Sequence, residues 1–358
     1  MKVLVAPLDW GLGHATRCIP IIQEFLNGGA QVELATSGPM ISLYQEVFPN
    51  LVQHRVPSYK VVYPKLGFTM PLWVLKNAVR FSKMFKMEQA LAERMADKHQ
   101  YDLIVSDNRF GFYSKKVKSI YVTHQLRIAF PKGFQIFEMI GVYWHLSYMK
   151  RYTEVWIPDF QKAPGMAGRL SHVSKMPERY RYVGVLTRFQ EEIQELKKEI
   201  RFLGIVSGVE PMRTQFEKKL RNVFSKLPGN HVLILGKPKQ KNTNRESLAY
   251  QVYPHLSTPD FKEMVQKSDY VITRSGYSTV MDMSVLGAKC VFVPTPGQTE
   301  QEYLGESLEH LGHVVISDLL FNSYTLKQSL EKAKKLEINF SENASLLKEA
   351  VHHILKEV

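Results

Sequence analysis

The chain has 358 residues, enough for about two domains of roughly 100–200 residues each. Its 44% hydrophobic and 23% charged residues are typical of a globular protein with a sizeable core. No apolar run approaches the ~20 residues of a membrane span, and the first residues lack the apolar region of a signal peptide. We therefore expect a cytoplasmic protein.

The charge and the cysteines limit the classes of partner and site. The net charge is +13, and residues 1–188 hold 25 Lys and Arg against 13 Asp and Glu. A basic first half suggests an anionic partner, which could be a membrane lipid, a phosphorylated acceptor or nucleic acid. The two cysteines, Cys18 and Cys290, form no Cys-x-x-Cys, so we expect core packing rather than a zinc knuckle or redox pair.

Short apolar runs alternate with helical periodicity through the first half. The predicted strands lie at 2–7, 32–36, 51–56, 102–107, 119–125 and 154–158, of which the last closes this half. The predicted helices lie at 15–27, from 71 onward and at 134–148. The chain is then expected to cross to the second half at 181–186, and 188–200 reads as a charged helix or linker.

The second half restarts the same alternation. The predicted strands lie at 201–206, 231–236, 269–273, 289–293 and 312–317. The predicted helices lie at 211–226, 258–267, 278–286, 300–311, 325–335 and 342–356. Repeated strand–helix–strand units predict an α/β protein with two doubly wound, Rossmann-like parallel sheets. We place the domains at 1–188 and 189–358, with the last helix able to pack back on the first domain.

Aromatic and basic residues are interleaved in residues 59–87, where a long amphipathic helix begins near Pro71. One interpretation is a core helix whose lysines extend to solvent. The other is a helix that sits on an anionic membrane surface. The sequence leaves both open.

Polar residues cluster after a predicted strand at 269–273. Arg274-Ser275-Gly276 forms a tight turn before the next helix, and an exposed helix N-terminus beside an arginine suits a phosphate group. Asp282 follows two turns along that helix, where it can face a sugar hydroxyl. In open α/β sheets, ligands bind at such strand ends.

The first half carries a similar cluster. Gly11-Leu12-Gly13-His14 follows the first strand, while Asp107 and His124 end or follow two others. We expect all of them on one edge of the sheet, because the carboxyl ends of parallel strands meet there.

These motifs resemble those of glycosyltransferases with the GT-B fold. The similarity is to the lipid-linked N-acetylglucosaminyltransferase of peptidoglycan synthesis and to the UDP-glycosyltransferases, a family 28-like group. The resemblance is carried by residues 8–17, 201–213 and 273–303, including the run from Pro296 to Gln301. It implies two Rossmann-like domains facing across a cleft, an acceptor-binding first domain and a nucleotide-sugar-binding second domain.

The resemblance also implies roles for residues. His14 would be the general base, with Asp107 orienting it or acting as the base itself, and Gly11, Gly13 and His124 would lie on the acceptor side. Donor binding would fall to Ser207, Gly208, Arg213, Arg274, Ser275, Gly276, Thr279, Asp282, Gln298 and Gln301. Arg213 could equally be a surface residue, and these families usually place Glu where Asp282 stands.

The expected reaction moves a sugar from a nucleotide-sugar, expected to be a UDP-sugar, to a hydroxyl of an unknown lipid or glycan acceptor, with inversion. No Asp-x-Asp occurs, so we expect a metal-free site and no cofactor, with the donor as substrate. The basic half leaves room for peripheral attachment at the inner face of a membrane.

Two alternatives remain from the sequence. A non-hydrolysing sugar-nucleotide 2-epimerase would share the fold. A non-catalytic protein would use its basic face on nucleic acid or membrane, although no nucleic-acid motif is present and nucleic acid is the less expected partner.

Overall fold

The structure is a computed structural model, and it describes residues 1–9, 11–58, 70–130, 133–189, 196–237, 250–336 and 340–357. The chain divides into two compact units. Unit 1 comprises residues 1–186 and 339–358, and unit 2 comprises residues 187–338. The last helix therefore belongs to unit 1, although it is separated from the rest of that unit by the whole of unit 2.

Unit 1 contains a seven-stranded, all-parallel sheet with the strand order 3-2-1-4-5-6-7. Its strands are β1 (Lys2–Pro7), β2 (Gln31–Thr36), β3 (Gln53–Arg55), β4 (Leu103–Asp107), β5 (Lys118–Val122), β6 (Glu154–Ile157) and β7 (Tyr180–Tyr182). Strands β1, β2 and β4 are almost wholly buried and mostly apolar, as expected for strands covered on both faces, and they also bury Glu33 and Asp107.

Helices cover this sheet. They are α1 (Leu12–Asn27), α2 (Met40–Val47), α3 (Met70–His99), α4 (Glu138–Met149) and α10 (Phe340–Glu357). Helix α10 packs on α1, and its Leu347, Ala350, Val351 and Ile354 join the buried cluster that includes Phe25 and Trp156. The chain thus returns to unit 1 because the apolar stripe of α10 completes that core.

Unit 2 contains a six-stranded parallel sheet with the order 10-9-8-11-12-13. Its strands are β8 (Ile200–Ile205), β9 (His231–Ile234), β10 (Gln251–Tyr253), β11 (Ser268–Thr273), β12 (Cys290–Phe292) and β13 (Val314–Val315). Its helices are α5 (Met212–Phe224), α6 (Thr258–Gln266), α7 (Tyr277–Val285), α8 (Thr299–His310) and α9 (Ser323–Ser329). The prediction of two doubly wound parallel-sheet domains is confirmed.

Among the strands and α-helices in the described part of the chain, three short ones were not predicted. Strand β7 extends the first sheet past β6, so the prediction that 154–158 is the last strand of the first half was wrong. Helix α2 and strand β10 also escaped prediction. Two of the three are three-residue edge strands and the third is an eight-residue helix, too short for a clear periodicity. Residues 190–195 of the predicted helix or linker at 188–200 lie outside the described residues, and so does the start of the aromatic and basic stretch at 59–69.

Within the described residues, no helix combines the length and apolar character that a membrane crossing requires.

Candidate active site

Both sheets reverse their strand order at one point, and the polar motifs lie beside those points. In unit 1 the reversal falls between β1 and β4, next to the Gly-rich loop and Asp107. In unit 2 it falls between β8 and β11, next to Ser207-Gly208 and Arg274-Ser275-Gly276. A reversal of strand order opens a crevice at the carboxyl edge, because the two flanking loops run to opposite faces of the sheet.

In unit 1, His14 and Asp107 meet at this edge. His14 lies in the first turn of α1, and Asp107 is the last residue of β4. The His14 Nδ1 donates to Asp107 Oδ2 over 2.7 Å. The imidazole side chain remains 18% exposed, whereas the carboxylate is fully buried. The contact therefore joins a residue accessible from outside to an anion held in the interior.

Arg17 compensates the charge of this buried carboxylate, and the sequence alone did not single it out. Its Nε donates to Asp107 Oδ1 over 2.6 Å, and its Nη1 donates to Nδ1 of His124 over 3.1 Å. Arg17 itself is 1% exposed. Because it follows His14 by three residues on one helix, it lies on the same helical face, and that spacing was the signal available in the sequence.

These contacts determine the charge of the Asp107 carboxyl and which nitrogen of His14 carries the hydrogen. Burial tends to raise the pKa of Asp107, but Arg17 first and His14 second outweigh burial and hold the pKa below its usual value. Since the anionic carboxylate accepts from His14, Nδ1 of that ring carries the hydrogen and the neutral ring keeps Nε2 as an acceptor. Nη2 of Arg17 also lies 2.9 Å from this Nδ1, but a protonated Nδ1 cannot accept from it. No hydrogen bond to Nε2 occurs among the described residues.

Gly11 and Gly13 leave the backbone beside His14 without side chains at these two positions. Gly11 precedes α1 with a φ of 125°, a conformation that favours glycine, and a Cβ atom there would meet nothing within 4 Å. Gly13 lies in the first turn of α1, whose start has no side-chain cap hydrogen bond and no acidic residue. His124, by contrast, is buried behind Arg17. Gly11, Gly13 and His14 thus lie at the surface edge, and His124 lies beneath it.

Three of the predicted donor-binding residues hold the loops of unit 2 together, namely Arg274, Ser275 and Gln301. Arg274 makes the largest number of these contacts. Nη1 of Arg274 donates to the carbonyls of Val293 and Pro294 and to Asp318 Oδ1, and its guanidinium lies 4.0 Å from the ring centre of Phe216. Burial lowers the pKa of Arg274, although Asp318 opposes that effect.

The loop after β12 is tied to the same turn. The buried Ser275 hydroxyl donates to the carbonyl of Gln301 over 2.8 Å, and the Gln301 side chain accepts from the Thr295 amide over 3.0 Å. These contacts attach the start of α8 to the turn before α7, so Ser275 and Gln301 fix the shape of the loops.

The remaining predicted residues line a more open edge. Gly276 precedes α7 without a side-chain cap, and Gly208 has a φ of 99° with no atom within 4 Å of a Cβ atom built there. In the described part of the chain, the side chains of Ser207, Thr279 and Gln298 make no hydrogen bond. Backbone amides at two loop ends and three uncommitted polar side chains are therefore left for a ligand.

Asp282 and Arg213 differ in their environments. Asp282 is half-buried in α7 and accepts from the Thr187 hydroxyl over 2.7 Å. Burial raises its pKa to about 6, while nearby Arg188 and the Thr187 hydrogen bond oppose that rise. Arg213 donates to Glu210 over 2.8 Å and to the Leu235 carbonyl over 3.2 Å, so it is held within unit 2.

Removal of the Arg17 charge should destabilise unit 1. In Arg17→Met the Asp107 carboxylate stays buried with too little compensation, and we expect a loss of about 3–5 kcal/mol in the free energy of unfolding, the usual cost of breaking a buried pair. Arg17→Lys should lose less, because the charge remains and only the forked geometry is lost. Urea unfolding at pH 7 measures both. The exposed Arg55→Met is the control, and a wild-type midpoint for Arg17→Met would contradict the role given to Arg17.

Comparison with known proteins supports the transferase interpretation. The glycosyltransferase family 28 C-terminal domain matches residues 209–357. An uncharacterized glycosyltransferase of Methanosarcina mazei is 24% identical over 337 residues, which cover 87% of this chain and 84% of that protein.

A second relative matches a shorter segment. It is the UDP-N-acetylglucosamine–N-acetylmuramyl-(pentapeptide) pyrophosphoryl-undecaprenol N-acetylglucosamine transferase of Buchnera aphidicola. It is 32% identical over 76 residues, which cover 20% of this chain and 22% of that enzyme.

Among solved structures, the spinosyn rhamnosyltransferase SpnG complexed with thymidine diphosphate superposes with a TM-score of 0.57 at 12% identity, over 100% of this chain and 96% of that one. At that identity the likeness concerns the fold. The family match and the sequence relatives confirm the transferase interpretation. The chain is a glycosyltransferase of the GT-B fold, similar to glycosyltransferase family 28.

Proposed function

We propose that the enzyme transfers a sugar from a UDP-sugar to an acceptor hydroxyl by a single inverting displacement that needs no metal ion. The observation that carries the proposal is the 2.7 Å hydrogen bond between His14 and the buried Asp107, with the second ring nitrogen directed away from that carboxylate. Donor binding is assigned to unit 2 and acceptor activation to unit 1.

The dyad supplies the proton transfer. As the acceptor oxygen bonds to the anomeric carbon, Nε2 of His14 takes the hydroxyl proton and the bond from that carbon to the diphosphate oxygen breaks. The ring becomes an imidazolium, which the Asp107 carboxylate stabilises through Nδ1. Because Arg17 already holds Asp107 in its anionic form, the carboxylate is ready for this role before the substrate arrives.

The departing diphosphate is assigned to backbone amides. Arg274 is engaged by two carbonyls and Asp318, so we assign the phosphates instead to the uncapped start of α7 at Gly276 and to the open turn at Gly208. Helix N-termini carry partial positive charge and stabilise such anions. This arrangement would take the part that a cation plays in metal-dependent transferases.

The proposal also covers which base the donor carries and which residue binds its ribose. Asp282 is assigned to the ribose hydroxyls, for which an ionised carboxylate is the natural acceptor. The segment shared with the Buchnera aphidicola enzyme favours uridine, because the name of that enzyme specifies a UDP-sugar. Thymidine diphosphate, bound in the spinosyn rhamnosyltransferase structure, is the second choice.

The acceptor is proposed to be lipid-linked, which would place the enzyme peripherally on the inner face of a membrane. Helix α4 and the turn before it expose an apolar stripe at helical spacing. The stripe, here called the α4 stripe, consists of Ile136, Met139, Ile140, Tyr143 and Trp144. Ile136 is 80% exposed and Ile140 is 65% exposed, and a contiguous exposed stripe is uncommon on a soluble surface.

Basic residues border the α4 stripe. Lys175 lies 5.1 Å from the ring centre of Tyr143, and Phe85 of α3 packs edge-on against Tyr148 of α4 at 5.4 Å. Helix α3 in turn exposes four cations, Lys76, Arg80, Lys83 and Lys86. An apolar stripe beside cations is complementary to a bilayer that contains anionic lipid.

The dyad is tested by kinetics. His14→Ala should lower kcat by about 10²–10⁴, the usual contribution of a general base, with UDP affinity unchanged. Asp107→Asn should also lower kcat, because the imidazolium loses its counter-charge. A panel of UDP-sugars and acceptors first identifies a reactive pair. The rate is then measured as the release of UDP from that donor in the presence of that acceptor, and the exposed His353→Ala is the control. Full turnover in both variants would rule out this dyad.

The donor site is tested by calorimetric titration with UDP, dTDP, GDP and ADP, with and without Mg²⁺. We expect UDP to bind most tightly, Mg²⁺ to change little, and Asp282→Asn to weaken binding about tenfold, the size of one lost charged hydrogen bond. The exposed Asp269→Asn serves as the control. No binding of any of the four nucleotides would remove the donor assignment.

The same titration has a pH signature. Asp282 has a raised pKa of about 6, so the folded protein takes up a proton there as the pH falls from about 7 to 5. A protonated carboxyl accepts less well, so UDP affinity should fall over this window in the wild type more than in Asp282→Asn. Equal falls in both proteins would assign the pH effect to the phosphate instead.

Membrane binding is tested by flotation with vesicles of phosphatidylcholine alone or mixed with phosphatidylglycerol. We expect binding to the anionic vesicles that weakens with salt, and a loss of at least about tenfold in Ile140→Glu, which places a charge in the apolar boundary. Leu319→Glu, at a 91% exposed position in unit 2, is the control. Equal binding of Ile140→Glu, or sedimentation showing that the stripe instead joins two copies, would contradict the proposal.

A further inference from the structure

A second cluster of ligand-type side chains lies in unit 1, apart from the dyad. Glu33 is in β2, His54 is in β3 and His99 is the last residue of α3. One ligand atom from each lies within 4.8 Å of the other two. The dyad lies at the carboxyl end of β4 and in the first turn of α1, whereas this cluster lies on β2, β3 and the end of α3, so the two sites share no residue.

The contacts within this cluster, here called the β2–β3 cluster, are short. Nε2 of His54 donates to Glu33 Oε2 over 2.6 Å, and the two imidazole rings of His54 and His99 have their centres 4.5 Å apart. The Tyr101 hydroxyl donates to the same Glu33 oxygen over 2.5 Å. Glu33 is buried, whereas both histidines are part-exposed, so the cluster is built on an interior anion and is open to solvent.

We infer that Glu33, His54 and His99 form a binding site for a Zn²⁺-like divalent transition-metal ion. Two imidazoles and one carboxylate are a donor set that such ions favour, while Mg²⁺ and Ca²⁺ prefer oxygen alone. Tetrahedral ligands of Zn²⁺ lie roughly 3.3–3.5 Å apart, so side-chain shifts of about 1 Å would close the site. The ion would replace the proton that His54 now shares with Glu33.

Of the residues around the cluster, Tyr101 favours metal binding and Lys2 opposes it. Tyr101 can keep its hydrogen bond to the carboxylate and orient it, as residues behind metal ligands commonly do. Lys2 opposes binding, since its Nζ lies 2.8 Å from Glu33 Oε1 and places a positive charge beside the ion. The lysine side chain is 23% exposed and can swing out, and we expect it to reduce affinity without abolishing it.

An ion here would connect three elements. It would join the strands β2 and β3 to the end of α3, the helix whose other portion exposes the basic residues beside the α4 stripe. Because a ligand that binds only the folded state stabilises it, the metal should raise the Tm of the protein. The inference does not depend on the proposed reaction, whose residues lie elsewhere.

Calorimetric titration of the tag-free full chain with ZnCl₂ tests the site, with the visible absorption of bound Co²⁺ as a second readout. We expect one equivalent to bind, and His54→Ala, His99→Ala and Glu33→Gln each to weaken binding at least tenfold. Lys2→Met should strengthen it, which a merely structural cluster would not predict. The control is His353→Ala, whose imidazole pairs with Glu357 on α10.

Circular dichroism would establish that each variant is folded before titration. His99 is part-exposed, so its replacement should leave the fold intact. The inference is overturned if the folded wild type binds no Zn²⁺, or if His99→Ala binds it as tightly as the wild type.

Discussion

The candidate catalytic edge of unit 1 depends on the pairing of Arg17 with Asp107. A carboxylate without exposure to water is strongly unfavourable unless a cation and hydrogen bonds compensate it. Arg17 supplies both, and it reaches His124 with a second nitrogen. Once that anion is fixed at the end of β4, it accepts from Nδ1 of His14 and so favours the tautomer whose Nε2 is free of hydrogen. The chemistry of His14 is thus set by a residue that the substrate need not touch.

In unit 2, too, the residues that hold the loops in place differ from those that are open to a ligand. The polar residues that follow its strands divide into those that tie loops together and those that stay open. Arg274, Ser275 and Gln301 satisfy backbone groups of neighbouring loops, which would otherwise be buried without partners. The turn at Gly208 and the start of α7 remain accessible. An anion would therefore meet mainly backbone amides, in loops that the polar side chains of Arg274, Ser275 and Gln301 hold together.

The surface of unit 1 shows a division of its own. The buried face of α3 packs on the sheet through residues such as Ala92 and Ala96, while its outer face carries cations. Helix α4, which contacts α3 through Tyr148 and Phe85, exposes the apolar α4 stripe. The core-helix interpretation of the basic stretch and the membrane interpretation are therefore compatible, because the two properties belong to opposite faces of one amphipathic helix.

The sequence by itself determined the fold class and the position of the motifs. Continuous apolar runs such as 2–7 and 269–273, alternating with helical periodicity, require parallel strands that are buried on both faces. Parallel strands put their carboxyl ends on one edge, and this rule alone predicts that His14 and Asp107 lie close together. A bond between residues 93 apart could be expected for this reason.

Only the tertiary structure decided where side chains point. Arg274, predicted from its motif to face a phosphate, turns into the protein, and Arg17, which drew no attention in the sequence, is the cation at the centre of the site. The β2–β3 cluster joins residues from two strands and a helix end that no local pattern connects. The physical reason is that periodicity reports which face of an element is buried, whereas the partner of a buried charge depends on which distant elements the packing brings within hydrogen-bond distance.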